Sequence, residues 1–108
     1  MTTDAHAQGE VEVTTQTTTD MIATPGANAT LHLTHCVIGV HTAAADAFVH
    51  LLHGSTEVLQ LDATVLRDHV IDFGEIGYAA AKNEAWRIQV SGGNAGVTAA
   101  GVARVTGE

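Results

Sequence analysis

Apolar and polar residues alternate with a period of two through most of this chain, and that period predicts strands. The clearest case is Glu84 to Ser91, where Trp86, Ile88 and Val90 face one way and Arg87 and Gln89 the other. Thr56 to Ala63 repeats the pattern, with Leu59, Leu61 and Ala63 set against Gln60 and Asp62. Leu31 to Val40, Phe48 to Leu52, Asp68 to Phe73 and Val97 to Val105 read as further strands. In residues 10–19, Val11 and Val13 alternate with Glu10 and Glu12 and lead into a Thr-rich run, whose β-branched side chains favour extended backbone.

Turn residues punctuate these segments. Pro25-Gly26 presets φ and then supplies a positive one. Gly54-Ser55, Gly74 to Gly77 and Gly92-Gly93-Asn94 mark further reversals. Thr42 to His50 and Tyr78 to Glu84 are Ala-rich, but each is too short for more than one helical turn. Short strands with turn signals every 8–12 residues or so are the signature of a sandwich. The expected fold is therefore all-β: a single antiparallel β-sandwich, jelly-roll-like, of about seven or eight strands. Residues 1–19 are expected to form an extended N-terminal arm or first strand, and 20–108 the sandwich domain.

Composition narrows what such a domain can do. At 108 residues there is room for one modest core. Phe48, Phe73, Tyr78 and Trp86 are its only aromatics, so much of that core must be Ala and Val. A thin core gains from a partner or a symmetric neighbour. Four scattered cations, Arg67, Lys82, Arg87 and Arg104, oppose twelve carboxylates. Counterion release needs clustered basic residues, so nucleic acid and anionic membranes are excluded as expected partners. The apolar runs are far shorter than the roughly 20 residues of a spanning helix. The N-terminus has no secretory pattern, and a lone Cys36 cannot form an intramolecular disulfide, which together predict a chain made in the cytosol.

Candidate chemistry is sparse. Seven histidines suggest a metal, with His32-x-x-His35 and His50-x-x-His53 the sharpest pairs. On strands, residues three apart face opposite ways, so neither pair is expected to chelate within itself. Only a cross-strand site, such as His35 with His50, is left open. Cys36 sits in an apolar strand and reads as a buried, inert thiol. Asp62, Asp68, Asp72 and Glu75 lack the ligand spacing and central Gly of a calcium loop. Asn28-Ala29-Thr30 fits a glycosylation sequon by chance, and the Gly92-Gly93-Asn94 loop lacks the Lys and helix of a phosphate cradle. Trp86 is expected in the core; a sugar-stacking platform would require it exposed. No catalytic constellation, metal or cofactor is expected.

A likeness emerges from the order of these features. A Pro25-Gly26 turn precedes Leu31-His32-Leu33-Thr34-His35-Cys36-Val37-Ile38-Gly39-Val40; a hairpin near Gly54-Ser55 follows, then Asp72-Phe73-Gly74-Glu75-Ile76-Gly77. Asn83 to Ser91 and a closing Gly/Val/Thr strand complete it. Over residues 20–106 this arrangement resembles small β-sandwich structural proteins of tailed bacteriophages, such as capsid decoration or cement proteins. The resemblance implies a virion role on the capsid exterior, bound to the major capsid protein and stabilising the shell by bridging neighbouring subunits. It also implies a homo-oligomer, a trimer above all. The N-terminal segment would supply the contacts, with Val11, Val13, Thr15 and Thr17 as the candidate residues, since an extended arm can add a strand to a neighbour's sheet. The alternative is a receptor- or glycan-binding module of a tail fibre or cell-surface protein.

Overall fold

The computed structural model describes residues 5–107. Among them are nine strands and no helix: β1 (Ala5–Val13), β2 (Thr18–Ile22), β3 (Ala29–Thr42), β4 (Phe48–His53), β5 (Thr56–Asp62), β6 (Arg67–Asp72), β7 (Tyr78–Ala79), β8 (Trp86–Ser91) and β9 (Gly96–Gly107). They form two antiparallel sheets, one in the order β1-β9-β3-β6 with β7 also on β3, the other β2-β8-β4-β5. The pairs nest: β4 with β5, β3 with β6, β2 with β8 and β1 with β9. That is the order of an eight-stranded jelly roll, a long hairpin rolled onto itself, with the short β7 added. The expected sandwich is therefore the fold.

The period-two pattern sets what each sheet buries. Leu31, Leu33, Cys36, Ile38 and Val40 of β3 face Val49 and Leu51 of β4 and Trp86, Ile88 and Val90 of β8 in one core. Val97, Ala99 and Ala103 of β9 extend it with small side chains. Burying a Val, Leu or Ile contributes roughly 1.5–3 kcal/mol, so these side chains carry the stability that Ala and Gly positions cannot. Trp86 is fully buried, and its indole N–H donates to the Leu31 carbonyl at 3.3 Å. The ring lies edge-on to His53 and Tyr78, with centroids 5.4 and 5.8 Å away.

One local expectation needs correction and two become definite. Of the arm or first strand expected within residues 1–19, residues 5–13 are a strand. From Ala5 to Val13 the segment is paired with β9 in unbroken register, and residues 1–4 lie outside the described residues. The predicted strand over 10–19 is two strands, because the chain turns at 14–17. There the Thr17 amide donates to the Thr15 carbonyl at 2.8 Å and the Gln16 amide to Asn94 Oδ1 at 3.1 Å. The Ala-rich stretch after Thr42 forms no helical turn. Its backbone is instead stitched to the end of β5, with Ala44 donating to Ala63 and Ala63 to Ala47.

β1 and β2 approach closely where the sheets meet. Gly9 and Gly101 face each other across β1 and β9. A Cβ on Gly9 would strike the Met21 carbonyl oxygen; one on Gly101 would lie 2.7 Å from Met21 Cε. The two glycines thus form a seat for Met21, whose thioether accepts a weak contact from the Cys36 thiol at 3.7 Å. Burial pushes the Cys36 pKa up to about 12, so the reactive thiolate is suppressed. Ellman's reagent is expected to leave Cys36 unmodified in the native protein and to titrate one thiol per chain in guanidinium. Rapid native labelling would place Cys36 outside the core.

Candidate interaction surface

The outer face of the β1-β9-β3-β6 sheet is built from side chains left over once the core is filled. Register sets them in rows across four strands. One row runs Gln8, Val102, His35, Asp72; the next Glu10, Ala100, Val37, Val70; the third Glu12, Thr98, Gly39, Asp68. The middle of this face is small or apolar and its margins are acidic. Val70 is 67% exposed although it stands in mid-strand. An open trough of about 810 Å³ continues the face toward the β6–β7 turn, lined by His6, Thr34, His35, Asp72, Glu75 and Arg104 among others. Ile76, 77% exposed, stands at its rim, and Arg104 donates to the Ile76 carbonyl at 3.0 Å.

The contact residues expected from sequence divide. Val11 and Val13 alternate with Glu10 and Glu12, and that alternation turns both valines inward. Val13 is 3% exposed and Val11 packs against the core. Both side chains thus pack within the chain, Val13 the more deeply. Thr15 and Thr17 are exposed in the turn between β1 and β2.

The histidines are spread over both sheets, and five of the seven meet a polar partner. A register shift between Leu33 and His35 puts Thr34 and His35 together opposite Val102, so His32 and His35 share the outer face. That corrects the expectation of opposite faces. Even so, no three His, Cys, Asp or Glu side chains converge as a metal site among the described residues. His32 Nε2 meets Thr106 Oγ1 at 2.8 Å, His41 Nε2 reaches Glu12 at 3.2 Å, and His69 Nε2 donates to the Asp62 carbonyl at 3.1 Å. His53 Nδ1 lies 2.8 Å from Glu84 Oε1, which also accepts the Ala81 amide. The Ala81 hydrogen bond first, and then His53, hold the Glu84 carboxyl below the usual range.

On the opposite sheet a chain of three groups crosses three strands. His50 contacts the Glu57 carboxylate through Nδ1 and meets Ser91 Oγ at 2.6 Å through Nε2. Sequence reasoning missed this chain, because its members come from β4, β5 and β8 and only the sheet order brings them together. Hydroxyl, imidazole and carboxylate follow the order that activates a serine in acyl transfer. Ser91, however, stands opposite Phe48 in the β4–β8 ladder, not on the strained turn that presents a nucleophile. What the chain does in this sheet is to tie β8, β4 and β5 together.

Two of the four carboxylates weighed against a calcium loop, Asp62 and Asp72, cap turns. Asp62 Oδ1 accepts from the Thr64 hydroxyl at 2.6 Å and the Thr64 amide at 2.9 Å, which lowers its pKa. Asp72 Oδ1 accepts the Gly74 amide at 2.8 Å.

No protein-family model and no curated protein matches this chain. Among solved structures it is similar to a chain described as "Cyanophage Pam1 capsid asymmetric unit", at 13% identity and a TM-score of 0.42. That similarity covers 95% of this chain and 85% of the other, and at this level it carries no functional information.

Proposed function

We propose that this chain is a virion structural protein of the decoration or cement kind, which binds the outer surface of a capsid as a homo-oligomer and bridges neighbouring capsid subunits. The observation that supports this reading most is the outer face of the β1-β9-β3-β6 sheet. An apolar centre of Val37, Ala100, Val102 and Val70 inside an acidic margin has the anatomy of a protein–protein contact, with a dry middle and a polar rim. The fold supplies rigidity, and no chemistry is assigned to it.

A glycan-binding module is supported less well. Stacking a sugar needs an exposed ring over a binding trough; Trp86 is fully buried, and the partly exposed rings of Phe48 and Tyr78 lie outside the trough lining. The trough beside the face is lined by no Trp, Tyr or Phe.

Binding to expanded capsid shells that lack the protein tests the proposal. Val70→Asp and Ala100→Asp place charge in the dry centre at exposed positions, and each is expected to weaken shell binding at least about tenfold. Gln60→Asp, on the other sheet, is the control and should bind as the unaltered chain does. Equal binding by all three would remove this face from the account, and no binding by the unaltered chain would remove the shell.

A further inference from the structure

We propose that the free edge of β1 pairs antiparallel with β1 of a second copy of this chain, across a two-fold axis through Gly9. The inference goes beyond shell binding and does not depend on it.

A sheet edge invites pairing unless something blunts it. Three of the four edges here are interrupted. β2 carries a register shift between Asp20 and Ile22, and Asp20 is engaged by Arg87 at 2.9 Å. β5 lies beside a shift between Leu51 and Leu52. The third edge is divided between β6 and the two-residue β7, with a turn between them. β1 alone runs nine residues in continuous register, without Pro, Lys or Arg.

Register then selects one pairing. Side chains alternate faces, so only axes centred on a residue keep core-facing positions opposite core-facing positions. Centred on Gly9, all nine residues of β1 pair. Ala7 meets the partner's Val11 on the inner face. On the outer face Gln8 meets the partner's Glu10, and His6 meets the partner's Glu12. Symmetry makes each of these contacts twice. No like charges face each other. Centring on Glu10 would set Glu10 against the partner's Glu10, and centring on Gln8 would leave Glu12 and Val13 beyond the overlap. In the selected register Glu12, already 3.2 Å from His41, gains the partner's His6 on its other side. The two β1-β9-β3-β6 sheets become one continuous sheet, and the outer faces of both copies lie side by side. This replaces the trimer implied by the sequence resemblance with a two-fold pair.

Sedimentation equilibrium of the free protein at low salt is expected to show a dimer. His6→Lys should tighten it. His6→Glu, which faces the partner's Glu12, should weaken it by about tenfold over its two symmetric contacts, and adding Glu12→Lys should restore it. His6 is exposed, so an unchanged circular dichroism spectrum will confirm that these variants remain folded. A chain carrying Gln8→Cys and Glu10→Cys should oxidise to a covalent dimer, whereas His6→Cys with Glu10→Cys should not. A monomer at all concentrations, a trimer, a dimer indifferent to charge at position 6, or cross-linking only by the second cysteine pair would each overturn the proposal. All these readouts are made without a shell, so they fail or succeed separately from shell binding.

Discussion

Replacing Trp86 with alanine is expected to cost about 3–5 kcal/mol, a large share of the roughly 5–15 kcal/mol that holds a domain together. Three losses combine. The largest fully buried side chain leaves a cavity between the sheets. The Leu31 carbonyl loses the indole N–H that donates to it. The edge contacts with His53 and Tyr78 disappear. Urea unfolding followed by far-ultraviolet circular dichroism measures the effect, since the substitution removes the only tryptophan fluorophore. Trp86→Phe fills part of the cavity but still removes one of the carbonyl's two donors, the other being the Ala80 amide at 3.0 Å, so its loss should be smaller and not negligible. A midpoint unchanged by Trp86→Ala would show that this ring does not pack as described.

Gly9→Ala is the second large effect, expected at about 1–3 kcal/mol from overpacking alone. The new methyl would meet the backbone of Met21, and backbone cannot rotate away as a side chain can. β1 must therefore shift from β2, and amide exchange should accelerate along β1 more than along β8. Gly101→Ala provides a contrast, because it meets the flexible end of the Met21 side chain. Met21→Ala should relieve Gly101→Ala and leave Gly9→Ala as damaging as before. Equal relief of both would mean that the seat for Met21 is formed by side chains only.

The sandwich was legible because β3, β4 and β8 bury large side chains at every second position, and burial is what alternation reports. β1 was half legible for the same reason. Its inner face reads Ala7, Gly9, Val11, Val13, and the first two add too little hydrophobicity to mark a strand, although Gly9 is the residue that lets β2 come close. The shift at Thr34 could not be read at all. It depends on how β9 meets β3, and it moved His35 onto the face of His32. The outer face shows the same limit. Val37, Val70, Ala100 and Val102 lie far apart in sequence and become one surface only through the strand order. The Ser91, His50 and Glu57 chain was invisible for that reason too.

The strand order also governs how the molecule can be assembled in time. β9 lies between β1 and β3 and is the last of the nine described strands to be synthesised. During synthesis the first and third strands thus emerge with their shared neighbour still missing, and neither can complete its ladder until residues 96–107 leave the ribosome. Hairpin β4–β5 and the β3–β6 pair can form earlier, so nucleation should begin at the centre of the rolled hairpin and end at its rim. Until then the flanks of β1 and β3 are open to any extended polypeptide nearby, and the interval before β9 arrives is when this fold is most exposed to mispairing.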